Sequence, residues 1–230
     1  MADYLRGALA VSYTHLNAAN ACLLSELWSG KLDGIRNAVL ITVSEGVGAA
    51  ILANGQIVTS RSGLAGEFGH SPIDPMGPLC GCGQRGCWEV FASSNAALRY
   101  YEEISHKEKA VTIHDLLRMA EEGDASAIAA VSRQAACLGR GLRLITAALS
   151  PEVILIAGDI TTSWARFGPM IQAELEAAML AGPAPRLGTT NDRELSRLRG
   201  AAAIVLQRHS GHLRSKPVAG KRARRAVIPL

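Results

Sequence analysis

Cysteine is scarce in these 230 residues: there are five, an odd number. Such a count excludes a disulfide framework and leaves metal binding or plain burial. No stretch approaches the roughly 18 consecutive apolar residues that a membrane-crossing helix needs. The start, MADYLRGALAVS, lacks the basic opening, long apolar middle and cleavage site of a secretory leader. The chain therefore reads as a soluble, cytoplasmic protein with no membrane partner. Internal repeats and long linkers are also missing, and with 48% hydrophobic residues the chain can bury one sizeable core.

The net charge of +4 is unevenly placed. Of the 24 Lys and Arg, six lie in the last 20 residues, GHLRSKPVAGKRARRAVIPL, which hold no acid, so the body carries 18 bases against 20 acids. A basic segment of this kind suits nucleic acid or anionic lipid. With no interleaved aromatics and no apolar face, residues 211–230 read instead as a disordered, solvated tail.

What is present is an alternating α/β pattern. NAANACLLSELWSG (17–30) has helical spacing and a glycine stop at Gly30. NAVLITVS and GVGAAILANG read as strands, with an Asn-Gly hairpin turn between Ala53 and Gln56. Helices are expected near 88–104, 112–121 and 124–149, and then EVILIAG (152–158) as a short buried strand ending in glycine. SWARFGPMIQAELEAAML and ELSRLRGAAAIVLQRH close the chain as helices. Cys22 and Cys137 sit alone in apolar helical stretches and read as small buried hydrophobes.

The other three cysteines fall within eight residues, in GEFGHSPIDPMGPLCGCGQRGCWEV (66–90). His70, Cys80, Cys82 and Cys87 form H-x9-C-x-C-x4-C, with Gly81, Gly83 and Gly86 between the thiols. Zinc takes four N or S ligands in a tetrahedron, and a Cys₃His set with no open position is a structural site. Bringing close-spaced thiolates onto one ion needs tight turns, which glycine allows at positive φ.

GEFGH followed by CGCGQRGCWE resembles the signature of the ROK family, the repressors, open reading frames and sugar kinases that share a sugar-kinase actin-like (ribonuclease H-like) fold. The pattern E-x-G-H, then C-x-C-G-x-x-G-C-x-E, is matched at every fixed position. NAANA, SEGVGAAILANGQIV and LSPEVILIAGDI extend the likeness more loosely. The resemblance implies that Asn17, Glu67, His70 and Glu89 contact sugar hydroxyls. Carboxylates and amides at fixed separation suit that task, since they pair with neighbouring hydroxyls. His70 would serve twice, one ring nitrogen on the metal and the other toward the sugar, so that the metal fixes its tautomer.

Two departures bear on activity. Family kinases carry N-D-A-N-A, whose aspartate is the general base; here Ala18 stands in its place and cannot accept a proton. No Asp-x-Gly-Gly-Thr-like phosphate loop occurs, so ATP and Mg²⁺ are not expected as cofactors and no catalytic residue is assigned. The glycine pair in EGVGAAI reads as a strand turn rather than a phosphate site. Residues 17–210 are expected to form mainly the C-terminal lobe, with the zinc loop at 66–90 and the N-terminal lobe missing. VSYTHL (11–16) resembles the translation of a transposon-end adapter, which marks residues 1–16 as a join artefact.

The function expected is that of a truncated sugar-sensing protein from a transcriptional regulator. It binds a hexose or amino sugar without phosphorylating it and contacts DNA only through a missing N-terminal domain. The alternative is a fragment of an ATP-dependent ROK kinase of the glucokinase or N-acetylhexosamine type. The intact parent is expected to be a homo-oligomer.

Overall fold

A computed structural model describes residues 17–60, 64–106, 111–177, 182–190 and 195–210. The expected artefact at 1–16 and the basic tail at 211–230 lie outside them. The centre is a five-stranded mixed sheet in the order β3-β2-β1-β4-β5. β1 (Ala38–Val43) and β2 (Val47–Ala53) form an antiparallel hairpin, extended at its edge by the two-residue β3 (Gln56–Ile57). β4 (Val153–Gly158) runs parallel to β1, and β5 (Arg186–Thr189) runs parallel to β4.

Every residue of β1 is buried, because both faces of the sheet are covered. Val39, Ile41 and Val43 join Ile154 and Ile156 in the larger core, under α3 (Ser94–Ser105), α4 (Ile113–Glu121), α5 (Ala125–Leu149) and α6 (Trp164–Glu176). The alternate residues Ala38 and Leu40 join Leu52, Val153 and Leu155 against α1 (Ala18–Trp28). The two-residue period thus divides one apolar run between two cores. α7 (Ser196–Ser210) packs on α1, closely enough that a Cβ on Gly200 would lie 1.8 Å from the Ala21 carbonyl oxygen. No described helix is long and apolar enough to cross a membrane.

Local chemistry sets the element ends. Asn17 caps α1, its Oδ1 accepting from the Ala19 N–H at 2.8 Å. Ser29 is the C-cap, and Gly30 follows it in the left-handed region at φ 78°. Thr112 and Asp115 form a reciprocal capping box on α4. The helix expected over 88–104 is two helices, α2 (Glu89–Ala92) and α3. Ser93 is extended between them and caps α3 through its Oγ, which accepts from Ala96 N–H at 3.2 Å. A tightly wound 3₁₀ segment, Asp159–Ser163, precedes α6, and β5 was not legible as a strand.

Trp88 is the wedge that joins the cysteine-rich loop to the helices. Its ring is 1% exposed, and its Nε1–H donates to the Cys137 carbonyl in α5 at 2.9 Å. The indole lies where a Cβ on Gly141 would fall, 2.0 Å away. Gly141→Ala adds helix propensity worth about 1 kcal/mol but drives a methyl into a rigid buried ring. The net expectation is a loss of about 2 kcal/mol, at the overpacking scale. Urea denaturation monitored by circular dichroism would show it as a lower midpoint with an unchanged slope.

Candidate functional site

The cysteine-rich loop leaves the sheet after β3 and returns as α2. A short 3₁₀ turn, Phe68–His70, presents His70. Its backbone lies flat on β2: a Cβ on Gly66 would meet the Ala49 carbonyl oxygen at 2.3 Å, and one on Gly69 the Val47 carbonyl oxygen at 2.1 Å. The loop then closes on itself through bridges between Pro72 and Cys87 and between Leu79 and Arg85. Within it, Cys80 N–H donates to Gln84 O at 2.8 Å and Gly83 N–H to Cys80 O at 2.9 Å. Gly83 and Gly86 take positive φ, as the close cysteine spacing requires, whereas Gly81 does not.

This closure gathers the four residues the spacing singled out. Cys82 Sγ and Cys87 Sγ are 3.6 Å apart, Cys80 Sγ lies 3.5 Å from His70 Nδ1, and all four ligand atoms fall within 4.8 Å of one another. Ligands held at roughly 2.0–2.3 Å around a tetrahedral zinc stand about 3.3–3.8 Å from each other. The two pair distances match such an ion, and His70, Cys80, Cys82 and Cys87 could hold it. Burial pushes the Cys80 thiol up to about 12 and raises that of Cys87. Cys82 is exposed, and the Gln84 backbone N–H stabilises its thiolate and lowers it. An incoming divalent ion would displace protons from the two buried thiols, so its affinity falls as pH falls.

The second group of residues shares His70. Its Nδ1 faces Cys80, and its Nε2 lies 3.9 Å from Glu67 Oε2. Asn17 Nδ2 donates to the other oxygen of Glu67 at 3.4 Å. Glu89 reaches the same histidine from α2, with Oε1 3.5 Å from Nδ1, while Cys80 Sγ donates to that Oε1 at 3.2 Å. Asn17, Glu67, His70 and Glu89, drawn from three separate segments, thus form one continuous polar wall. The side chains of Glu67 and His70 are 40% and 39% exposed, against 22% for Glu89, so the wall faces open space. Ala18, at the first turn of α1 beside Asn17, is exposed and its side chain offers no polar atom.

One contribution was missed from the sequence. The turn between β1 and β2 supports Glu89: Val47 N–H donates to its Oε2 at 3.3 Å, and a Cβ on Gly46 would come within 2.5 Å of that oxygen. Of the two glycines of EGVG, Gly46 serves the turn, as expected, and also the seat of the carboxylate, whereas Gly48 lies within β2 opposite Thr42. Cys22 and Cys137 are 3% and 9% exposed, in keeping with a packing role.

A family model described as the ROK family matches residues 1–208. The chain is 33% identical over 202 residues to a glucokinase of Halalkalibacterium halodurans, an alignment covering 82% of this chain and 60% of that protein. It is 32% identical over 174 residues to a xylose repressor of Bacillus spizizenii, covering 76% of this chain and 44% of that one. The crystal structure of a ROK family glucokinase from Streptomyces griseus, in complex with glucose and AMPPNP, superposes with a TM-score of 0.82. Its identity is 24%, over 88% of this chain and 70% of that one, so the likeness is one of fold. The expected sugar-kinase actin-like, ribonuclease H-like architecture is the one found, and this chain, whose family includes both sugar kinases and repressors, belongs to the ROK family.

Proposed function

We propose that this chain carries the sugar-binding wall of a ROK transcriptional regulator and binds a hexose or amino sugar without phosphorylating it. The observation that carries this reading is an intact polar wall beside Ala18. Asn17, Glu67, His70 and Glu89 offer amide, carboxylate and imidazole groups to sugar hydroxyls, while the position of the kinase base holds a methyl group. Zinc on Nδ1 of His70 would lock the ring with Nε2 toward the wall. It would also bind Cys80 as a thiolate, which has no hydrogen to donate to Glu89, and so free Oε1 for the sugar.

In the whole regulator, DNA contact belongs to a helix-turn-helix segment outside these 230 residues, and we propose that the intact protein is a cytoplasmic homo-oligomer. The match to a glucokinase over 82% of this chain favours a second reading, a portion of a ROK sugar kinase whose base has been replaced. The parent gene separates the two: an upstream helix-turn-helix indicates the regulator, and an upstream Asp-x-Gly-x-Thr strand indicates the kinase.

Sugar binding by this chain is testable directly. A single wall leaves several hydroxyls in water, so the expected affinity is millimolar, about −4 kcal/mol. Titrating glucose, N-acetylglucosamine, N-acetylmannosamine and xylose into ¹⁵N-labelled protein should move the amide signals of Asn17, Glu67, His70 and Glu89 for at least one sugar. Chelating the metal should abolish those shifts. Shifts that persist without metal, or that map to the tail, would sink the assignment of this wall.

A further inference from the structure

A cleft of about 980 Å³, lined by none of the sugar-facing residues, lies between the cysteine-rich loop and α5. One side is the second half of α5, with Arg140, Arg143 and Leu144; the other is Ile73 and Asp74 of the cysteine-rich loop with Phe91 of α2. Turns at 150–152 and 182–185 close the end. A pocket of this size accommodates a small organic molecule.

Of the four charged side chains in the lining, Asp74, Glu152 and Arg140 already have partners, which leaves Arg143 as the one placed to meet a charged ligand. Asp74 Oδ1 accepts from Met76 N–H at 3.0 Å, and Glu152 Oε1 accepts from both Arg36 and Asn37 N–H at 3.0 Å. Arg140 Nε lies 3.5 Å from Glu174 Oε2. Arg143 is half-buried, and no described carboxylate lies within ion-pair distance of it. A half-buried guanidinium without a counter-charge favours an anion, especially a planar one that it can bind through two N–H groups. Around it, Phe91, Ile73, Pro183 and Pro185 offer an apolar face, and Leu144 remains 45% exposed at the rim. Ring against ring and ring against proline are the contacts this lining can make.

We propose that this cleft is a second binding site, distinct from the sugar wall, for a small aromatic acid whose single anionic group pairs with Arg143. An occupant presses on the frame of the metal loop from behind. Ile73 N–H is bonded to Gly86 O at 2.8 Å and Trp88 N–H to Ser71 O at 2.9 Å, so the neck that carries His70 and Glu89 forms part of the cleft wall. Cys137, which also lines the cleft, receives the Trp88 indole N–H.

The probe for the 230-residue chain is 8-anilinonaphthalene-1-sulfonate, an aromatic monoanion that fluoresces in apolar surroundings. Titration should show one saturable site per chain. Arg143→Gln should weaken it at least about tenfold, the scale of a charge-assisted contact. Ala147→Glu, on the exposed lining of α5, should abolish binding, and Arg118→Gln, on α4, should change nothing. The uncharged N-phenyl-1-naphthylamine should bind the parent and Arg143→Gln alike. In ¹⁵N spectra the sulfonate should shift the Trp88 indole and Ile73 amide signals, a readout that stands whether or not any sugar binds. Absence of saturable binding, or binding that Arg143→Gln and Ala147→Glu leave within about twofold, the experimental scatter of such variants, overturns the proposal.

Discussion

Purified protein is expected to carry about one zinc ion per chain, and Cys82→Ser to lose it. Cys82 is the exposed ligand, and replacing it touches no packed side chain, so the effect reads out metal binding rather than core damage. Structural zinc sites supply on the order of 10 kcal/mol or more to the segments they hold, far beyond the other interactions within this loop. Apart from the buried Trp88 at its end and the packing of Phe68 and Ile73 on the larger core, its remaining ties are two isolated bridges and a few hydrogen bonds. Hydrogen exchange in Cys82→Ser should therefore rise across 66–90 before it rises in β1, whose residues are all buried, or in α5, whose inner face lies in the larger core. Plasma emission analysis that finds no metal, with Cys82 modified at once by a thiol reagent in the native protein, would refute the site.

Sugar-dependent release of ADP from ATP by the 230-residue chain should be undetectable with any hexose. Loss of a positioned base costs about 10² to 10⁴ in rate. Loss of phosphate positioning costs more, since effective molarities of about 10⁵ to 10⁸ M are forfeited. The two deficits separate experimentally. Ala18→Asp restores a carboxylate next to Asn17, on the exposed first turn of α1, where it also suits the helix dipole. It supplies nothing that holds ATP, so it should leave the chain inactive. Turnover by the parent chain would refute the non-catalytic reading outright, and turnover by Ala18→Asp alone would make this a kinase with one altered residue.

The gathering of the candidate metal ligands was legible because it is written in local spacing: three thiols within eight residues come together through one glycine-bearing turn. The strands β1 and β4 were legible too, as short and nearly continuous apolar runs, broken in β1 only by Thr42. Where the sequence misled, tertiary packing decides. The break between α2 and α3 falls at Ser93, 3% exposed, whose hydroxyl finds a better partner as a cap than within a longer helix. β5 is four residues with no apolar run, and it is a strand because the edge of β4 pairs with it. The seat of Glu89 was hidden for a different reason. Val47 and Gly46 lie more than forty positions earlier, and nothing in a strand turn announces that it will hold a carboxylate.

The flat contact of Gly66 and Gly69 with β2 has a consequence for solubility. β3 pairs only with Leu52 and Ala53, which leaves the carbonyls of Val47 and Ala49 on the outer side of the sheet without a neighbouring strand. The cysteine-rich loop occupies that side, and its two glycines admit no side chain that would hold it away. Were the loop to lift, an apolar edge, VGAAILA, would be open to pairing with the same edge of another molecule, the usual first step of β-aggregation. The loop that presents His70 is thus also the cover that keeps this sheet from growing beyond its own chain.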